Sequence, residues 1–432
     1  MNNVKQKLMD AIEKHRGEIF EIADQILKNP ELGYFEEKTS ALVRRIFDKY
    51  NISYTYPHAI TGVKGSIGHG RRNICIIGEM DALVCRAHHY ASSGGAAHAC
   101  GHHAQMAAML GAAIGLQCCG ILDALDGRIT FFAVPAEEFI DIENRKQLIS
   151  AGKIRCFGGK QQLISEGAFD DVDIAVMLHA QPNEERPKVY VRGQNLGFLA
   201  KLITFRGKSA HGSAPFDGVN ALNAAALAIL GIHSNRETFR DEDKIRIHPI
   251  VTKGGDVVNS VPDEVCINTY VRGSSIEAIK KGNAAVERSI HGAADIIGAS
   301  VEVENLPGYL PLCECRDLSE IFERNAIELL GEENVISGKE LTGSSDIGDL
   351  SMLLPVIQPS IGGFCGNLHS SEFAATDRDT AYITSSKLLA ATVVDLLADN
   401  AKEAERIVNS FLPVMSRQDY DKYLRFEVEG KL

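Results

Sequence analysis

The chain predicts an α/β protein, a mainly parallel sheet flanked by helices and interrupted by an inserted ferredoxin-like αβ sandwich. Three observations carry this expectation. Short β-branched runs at residues 73–78 (NICIIG), 129–134 (ITFFAV) and 172–178 (VDIAVML) are separated by helical patterns, the order that builds parallel sheets. A separate β-α-β-β-α-β order fills the middle of the chain, as in compact split-βαβ sandwiches. The length, 432 residues, exceeds what one hydrophobic core serves.

Taken in order, residues 4–27 place apolar side chains three and four apart, Pro30 follows, and residues 34–50 repeat the pattern. The first ~70 residues are therefore expected to be helical. The period then shortens to strands, with an Ala-rich helix at residues 101–116 between the first two. In the middle, residues 198–206 (FLAKLITFR) alternate as a strand and residues 218–232 form an Ala/Leu helix. Residues 245–251 and 265–271 read as strands, 275–297 as a helix and 300–304 as a closing strand. From about residue 306 helix, strand and Gly-rich loop return, with a helical end from Thr380. The expected division is a catalytic domain at residues 1–190 and 306–432, interrupted by a lid or dimerisation domain at residues 191–305.

An apolar fraction of 45% and a charged fraction of 24% are those of a soluble globular protein. A net charge of −12 disfavours nucleic acid and anionic membranes, both of which want a basic face. No uninterrupted apolar run reaches the roughly 18 residues that span a bilayer, and the first twenty residues lack a signal-peptide core. A cytoplasmic protein is expected. The ten cysteines are not spaced as a disulfide framework, and neither Cys118–Cys119 nor Cys313–Cys315 forms a paired knuckle. Most are expected to be small buried hydrophobes; Cys100 stands apart because of its neighbours.

Those neighbours lie where strands end. Glu79-Met80-Asp81 follows the first strand, and His98-Ala99-Cys100-Gly101-His102-His103 opens the Ala-rich helix. Pro135-Ala136-Glu137-Glu138 follows the second strand, His179 the third, and Gly366-Asn367-Leu368-His369 a late Gly-rich loop. A lone histidine such as His15, His58 or His291 is ordinarily surface or core, and an isolated Glu-Glu pair is ordinarily a solvated face. Five candidate ligands at the sheet's carboxyl ends are another matter, because that is where α/β sites form. Two ions about 3.5–4 Å apart need a bridging ligand with imidazole and carboxylate on each side. Thiolate, imidazole and carboxylate together suit zinc, with manganese or cobalt also accommodated. Successive residues leaving a strand point to opposite sides, so one of Glu137 and Glu138 can bind metal while the other takes a proton.

These residues resemble the di-metal aminoacylase and carboxypeptidase superfamily, peptidase clan "M twenty". Ala99-Cys100-Gly101-His102 is similar to its amidohydrolase branch, which includes hippurate hydrolases and indole-acetyl-amino-acid hydrolases. The resemblance covers nearly the whole chain. It implies that Cys100 bridges two divalent ions, that His102, Glu138, His179 and His369 complete the shell, that Glu137 is the general base, and that Asp81 orients the site. In the lid, Gly207-Lys208-Ser209-Ala210-His211-Gly212 resembles the family's histidine motif, so His211 would polarise the scissile carbonyl, often in a partner subunit's site. Gly254-Gly255-Asp256 through Asn259, and then Arg272, resemble a substrate clamp; Arg272 would fork onto a carboxylate beside Asn259, with Ser345 in a pocket-lining loop. Read without the resemblance, Arg272 is a strand-end surface arginine. Two departures stand out. His103 replaces the branch's usual aspartate, which opens the option of an added ligand. Residues 139–157 are inserted after Glu138, within which Gln147–Gly152 nearly repeats as Gln162–Gly167.

The expected function is hydrolysis of the amide of an N-acyl amino acid or related carboxylated amide, using a metal-activated water and Glu137. Rival readings are a dipeptidase or carboxypeptidase with the same site, a thiol hydrolase with Cys100 as nucleophile, and a non-catalytic binding protein. A homodimer or higher homo-oligomer is the family expectation.

Overall fold

A computed structural model describes residues 3–182, 189–338 and 342–424. The chain divides into two compact units: Met1–Gln194 with Cys313–Leu341 and Asp349–Arg417, and a second built on Asn195–Leu312 and Thr342–Gly348.

The first unit is organised by a six-stranded sheet in the order Ser53–His58, Gly62–His69, Gly127–Val134, Asn73–Glu79, Ile174–Val176, Val356–Ile357. Its last four strands run parallel, whereas Ser53–His58 and Gly62–His69 add an antiparallel edge. Residues 53–69 are therefore not helical, contrary to the sequence expectation; pairing to Gly127–Val134 and an aromatic, alternating strand outweigh a weak helical period. All seven residues of Asn73–Glu79 are buried, which explains the continuous apolar run. The helix His102–Cys118 is buried from His102 through Leu116. It is covered by the helices Asn3–Lys14, Arg16–Leu27 and Ser385–Ser410. The last of these breaks at Ala398–Ala401, and the Leu397 carbonyl accepts the Asp126 amide at 2.9 Å instead. The stretch Asp379–Ser410 is apolar and long enough by composition to cross a bilayer, but 78% of its most apolar window is buried in the core.

A second sheet, not foreseen from sequence, joins Val335–Ser337, Val189–Val191, Ser360–Cys365 and Ala374–Ala375, with His179–Pro182 parallel to Ser360–Cys365. Its strands are too short to show a period. The insertion forms the helix Ile142–Ser150 and leads into Gly159–Ser165. Its sequence near-repeat is a repeated helix ending: Gly152 and Gly167 adopt φ of 69° and 74°, and the amides of Lys153 and Ala168 reach back to the Leu148 and Leu163 carbonyls at 2.9 Å, closing the orphan carbonyls.

The second unit carries an antiparallel sheet ordered Arg246–Ile247, Glu264–Gly273, Gly197–Arg206, Ser300–Pro307, with Ile250–Lys253 also on Glu264–Gly273. Burial alternates strictly along Glu264–Gly273. Its inner face packs with the helices Ala221–Ser234 and Ile276–Ile297. Asn220 and Ser275 cap them, accepting the amides of Leu222 at 2.9 Å and Ala278 at 3.0 Å.

All ten cysteines are free thiols. The expectation that most are buried fails: only Cys75, Cys100 and Cys156 are. Cys118, Cys313 and Cys365 are exposed at a helix end, in a loop and at a strand end.

Candidate metal centre

Five segments converge at the carboxyl ends of the central strands. Asn73–Glu79 delivers Glu79 and then Asp81, Gly127–Val134 delivers Glu137 and Glu138, and Ile174–Val176 leads to His179. Gly101, at φ 86°, starts the helix that carries His102. A Cβ there would lie 2.4 Å from the Ala180 Cβ, so only glycine lets Cys100 sit against the His179 strand. His369 follows Ser360–Cys365, and its amide donates to the Ala99 carbonyl at 2.8 Å, which pins its loop beside Cys100.

Among the described residues, three groups of donor atoms lie within 4.8 Å of one another: Cys100, His102 and His179; Cys100, Glu138 and His369; Glu79, His102 and Glu137. Cys100 belongs to two of them. Its Sγ lies 3.5 Å from His179 Nε2, and Glu138 Oε1 lies 3.4 Å from His369 Nε2. His102 Nε2 and Glu138 Oε1 are buried and make no hydrogen bond. Orphaned buried donors and acceptors are costly unless another partner is present, and a thiol, three imidazoles and a carboxylate are what borderline-soft divalent ions take. The residues fit two ions sharing Cys100.

The charges point the same way. Burial, with help from Glu138, pushes the Cys100 thiol well above its usual range. Burial also raises Glu138 to about 7. A cation reverses both shifts. Burial opposes charge on His102, but Glu79, then Cys100 and Asp81, hold its imidazole well above the ordinary value. Burial lowers His179.

Asp81 receives His102 Nδ1 at 3.2 Å on Oδ1 and the Glu138 amide at 2.9 Å on Oδ2. Glu137 Oε2 stands 4.0 Å from His102 Nε2, so the two glutamates fall in different donor groups. The Ala136 turn before them, at φ 55°, is held by its amide donating to Glu36 Oε1 at 2.8 Å. Buried Arg145, from the insertion, donates to the carbonyls of Glu138 and Phe157. The insertion thus braces the ligand strand end. His103 belongs to none of the donor groups; its Nε2 lies 3.3 Å from the Tyr382 hydroxyl and its ring faces His98. Sequence reasoning passed over Glu79, Lys160, Gln105, Glu36 and Arg145. Glu79 alone had a visible signal, two residues before Asp81 at the same strand end.

In the second unit, His211 is exposed and its Nδ1 accepts the Ser213 hydroxyl at 2.7 Å. The Gly212 amide donates to the Asn259 carbonyl at 2.7 Å, which brings the His211 and Asn259 segments together. Arg272 is not a free surface arginine. It lies 5.3 Å over the Phe198 ring and donates to the Ser344 hydroxyl. Ser345 is buried, its hydroxyl 3.5 Å from the Ile347 amide, so the serine on Arg272 is its neighbour.

Fold and donor set define a class: an α/β protein whose clustered Cys, His and Glu donors fit two ions, with a second glutamate, Glu137, outside the two groups that share Cys100. Residues 195–294 match the peptidase dimerisation domain of the M20 family. The chain is 28% identical over 350 residues to IAA-amino acid hydrolase ILR1-like 4 of Arabidopsis thaliana, covering 77% of this chain and 74% of that protein. It is 28% identical to the human Xaa-Arg dipeptidase, over 70% of this chain and 67% of that one. The fold is that of the Bacillus subtilis YXEP protein, a dinuclear metal-binding peptidase of the M20 family (TM-score 0.69, 20% identity, 89% of this chain and 99% of that one). The chain thus carries an M20-type peptidase dimerisation domain, is similar in sequence to hydrolases of amino acid conjugates and dipeptides, and shares its fold with an M20 peptidase.

Proposed function

We propose that the protein is a metal-dependent amidohydrolase cleaving the amide bond of an N-acyl amino acid or related carboxylated amide. The observation that carries this is Cys100, shared by two donor groups, with Glu137 beside them and outside both. Cys100, His102 and His179 would hold one ion, and Cys100, Glu138 and His369 the other; zinc, manganese and cobalt all suit these donors. When bound, the ions supply Lewis acidity and lower the pKa of water. Glu137 accepts the proton of the attacking water and returns it to the leaving nitrogen. Asp81 fixes the tautomer of His102 and the backbone of Glu138. His211 polarises the carbonyl, and Arg272, with Asn259 and the serine loop at Ser345, holds the substrate carboxylate; the family resemblance supports these roles.

The same reading takes residues 1–190 and 306–432 as the catalytic domain and 191–305 as the lid. It takes the protein as a cytoplasmic homodimer. The match to the dimerisation domain supports pairing, and ten free thiols support a reducing compartment. The 28% identity to a dipeptidase favours peptides as the second substrate class. The deciding experiment is a screen of N-acyl amino acids and dipeptides with metal-reconstituted protein. Turnover of acyl amino acids supports the proposal, turnover of dipeptides alone supports the second reading, and turnover of neither overturns both.

A further inference from the structure

We infer that Lys160 is a positioning residue that holds Glu79 out of the coordination shell of the ion at His102, keeping that side open for water and substrate. The inference rests on the two-ion reading above. Glu79 is close enough to be a ligand. His102 Nδ1 is committed to Asp81, and Glu79 Oε2 lies 3.2 Å from the remaining nitrogen, Nε2. Both carboxylate oxygens are nevertheless engaged. Lys160 Nζ donates to Oε1, and Gln105 Nε2 donates to Oε2 at 2.8 Å.

Lys160 and Glu79 are fully buried, and lysine is almost never so unless paired. Its position is set by backbone packing. The Gly159 amide donates to the Ala136 carbonyl at 2.9 Å, and a Cβ on Gly159 would lie 1.6 Å from the Pro135 oxygen. The residue before Lys160 is therefore pressed onto the strand end that carries Glu137. Charge agrees: Cys100 as thiolate, Glu79, Asp81, Glu137 and Glu138 carry five negative charges, which two divalent ions and Lys160 balance. A carboxylate in a charge-assisted bond to an ammonium is a poorer ligand than a free one. Freed from Lys160, Glu79 would compete for the ion beside His102.

The test uses the full chain loaded with Co(II), whose visible d–d absorption reports coordination number. Lys160→Met is expected to lower the absorptivity, as an added oxygen ligand does, to tighten the first-ion affinity, and to lower kcat more than KM. The double variant Lys160→Met/Glu79→Gln is expected to restore the wild-type spectrum. A Lys160→Met protein that folds, binds two Co(II) and keeps the wild-type spectrum would overturn the inference and leave the pair a structural brace. Should Lys160→Met not fold, Lys160→Gln is read by the same spectrum and the same two outcomes. Failure of the wild-type protein to bind Co(II) would instead sink the two-ion reading.

Discussion

Asp81 ties His102 to Glu138: one carboxylate oxygen lies 3.2 Å from the imidazole Nδ1, and the other accepts the glutamate amide at 2.9 Å. A single side chain therefore sets both the free nitrogen of one donor group and the backbone of the other. Asp81→Asn puts an amide donor where two donors already point. Metal affinity is expected to fall about 10–100-fold, the usual cost of losing an outer partner of a ligand. Chelator competition reads this, and a melting temperature near wild type would separate it from unfolding.

Glu137 contributes no atom to either group that contains Cys100. Glu137→Gln keeps the shape and removes the base. Two ions per chain are expected by elemental analysis, with turnover lowered about 10²–10⁴-fold. Activity near wild type would remove Glu137 from its role.

Exhaustive chelation is expected to abolish turnover, and zinc, manganese or cobalt to restore it. Were Cys100 a nucleophile, activity would survive chelation and disappear with alkylation. Burial and the neighbouring Glu138 hold the Cys100 thiol protonated in the metal-free protein, so slow alkylation is expected after chelation.

Glu314 makes stability depend on pH. Burial raises its carboxyl from 4.5 to about 7, although it accepts the Gln358 amide and the Ser319 hydroxyl. The folded form keeps a proton that the unfolded chain releases. Its contribution is thus present in full below pH 4.5 and is lost as pH rises toward 7. The loss is on the order of 3 kcal/mol, and Glu314→Gln is expected to flatten it. Urea unfolding at pH 5 and pH 8 measures both proteins.

Much of the fold was legible because its longer elements keep a strict period. The continuous apolar run of Asn73–Glu79 and the alternation of Glu264–Gly273 are burial patterns written into residue type. The edge strands Ser53–His58 and Gly62–His69 were not legible, since their state depends on a neighbour far along the chain. The five ligand candidates were visible as polar residues where strands stop, and the structure gathers all of them. Their supports were hidden. Arg145 and Lys160 look like ordinary charges on amphipathic helices, and only tertiary packing buries them: Arg145 on the Glu138 and Phe157 carbonyls, Lys160 through Gly159 against Pro135 and Ala136. The Ser344 hydroxyl that accepts from Arg272 carried no signal in the sequence, because a serine in a loop looks like any other polar turn residue.

On the proposed two-ion reading one sulfur would serve both donor groups, so the two ions would not load independently. The first would displace the Cys100 proton, and the second would then meet an anion already in place. A metal titration should accordingly be steep, with little half-loaded protein and one proton released early. Oxidation of the same atom would disable both positions in a single event.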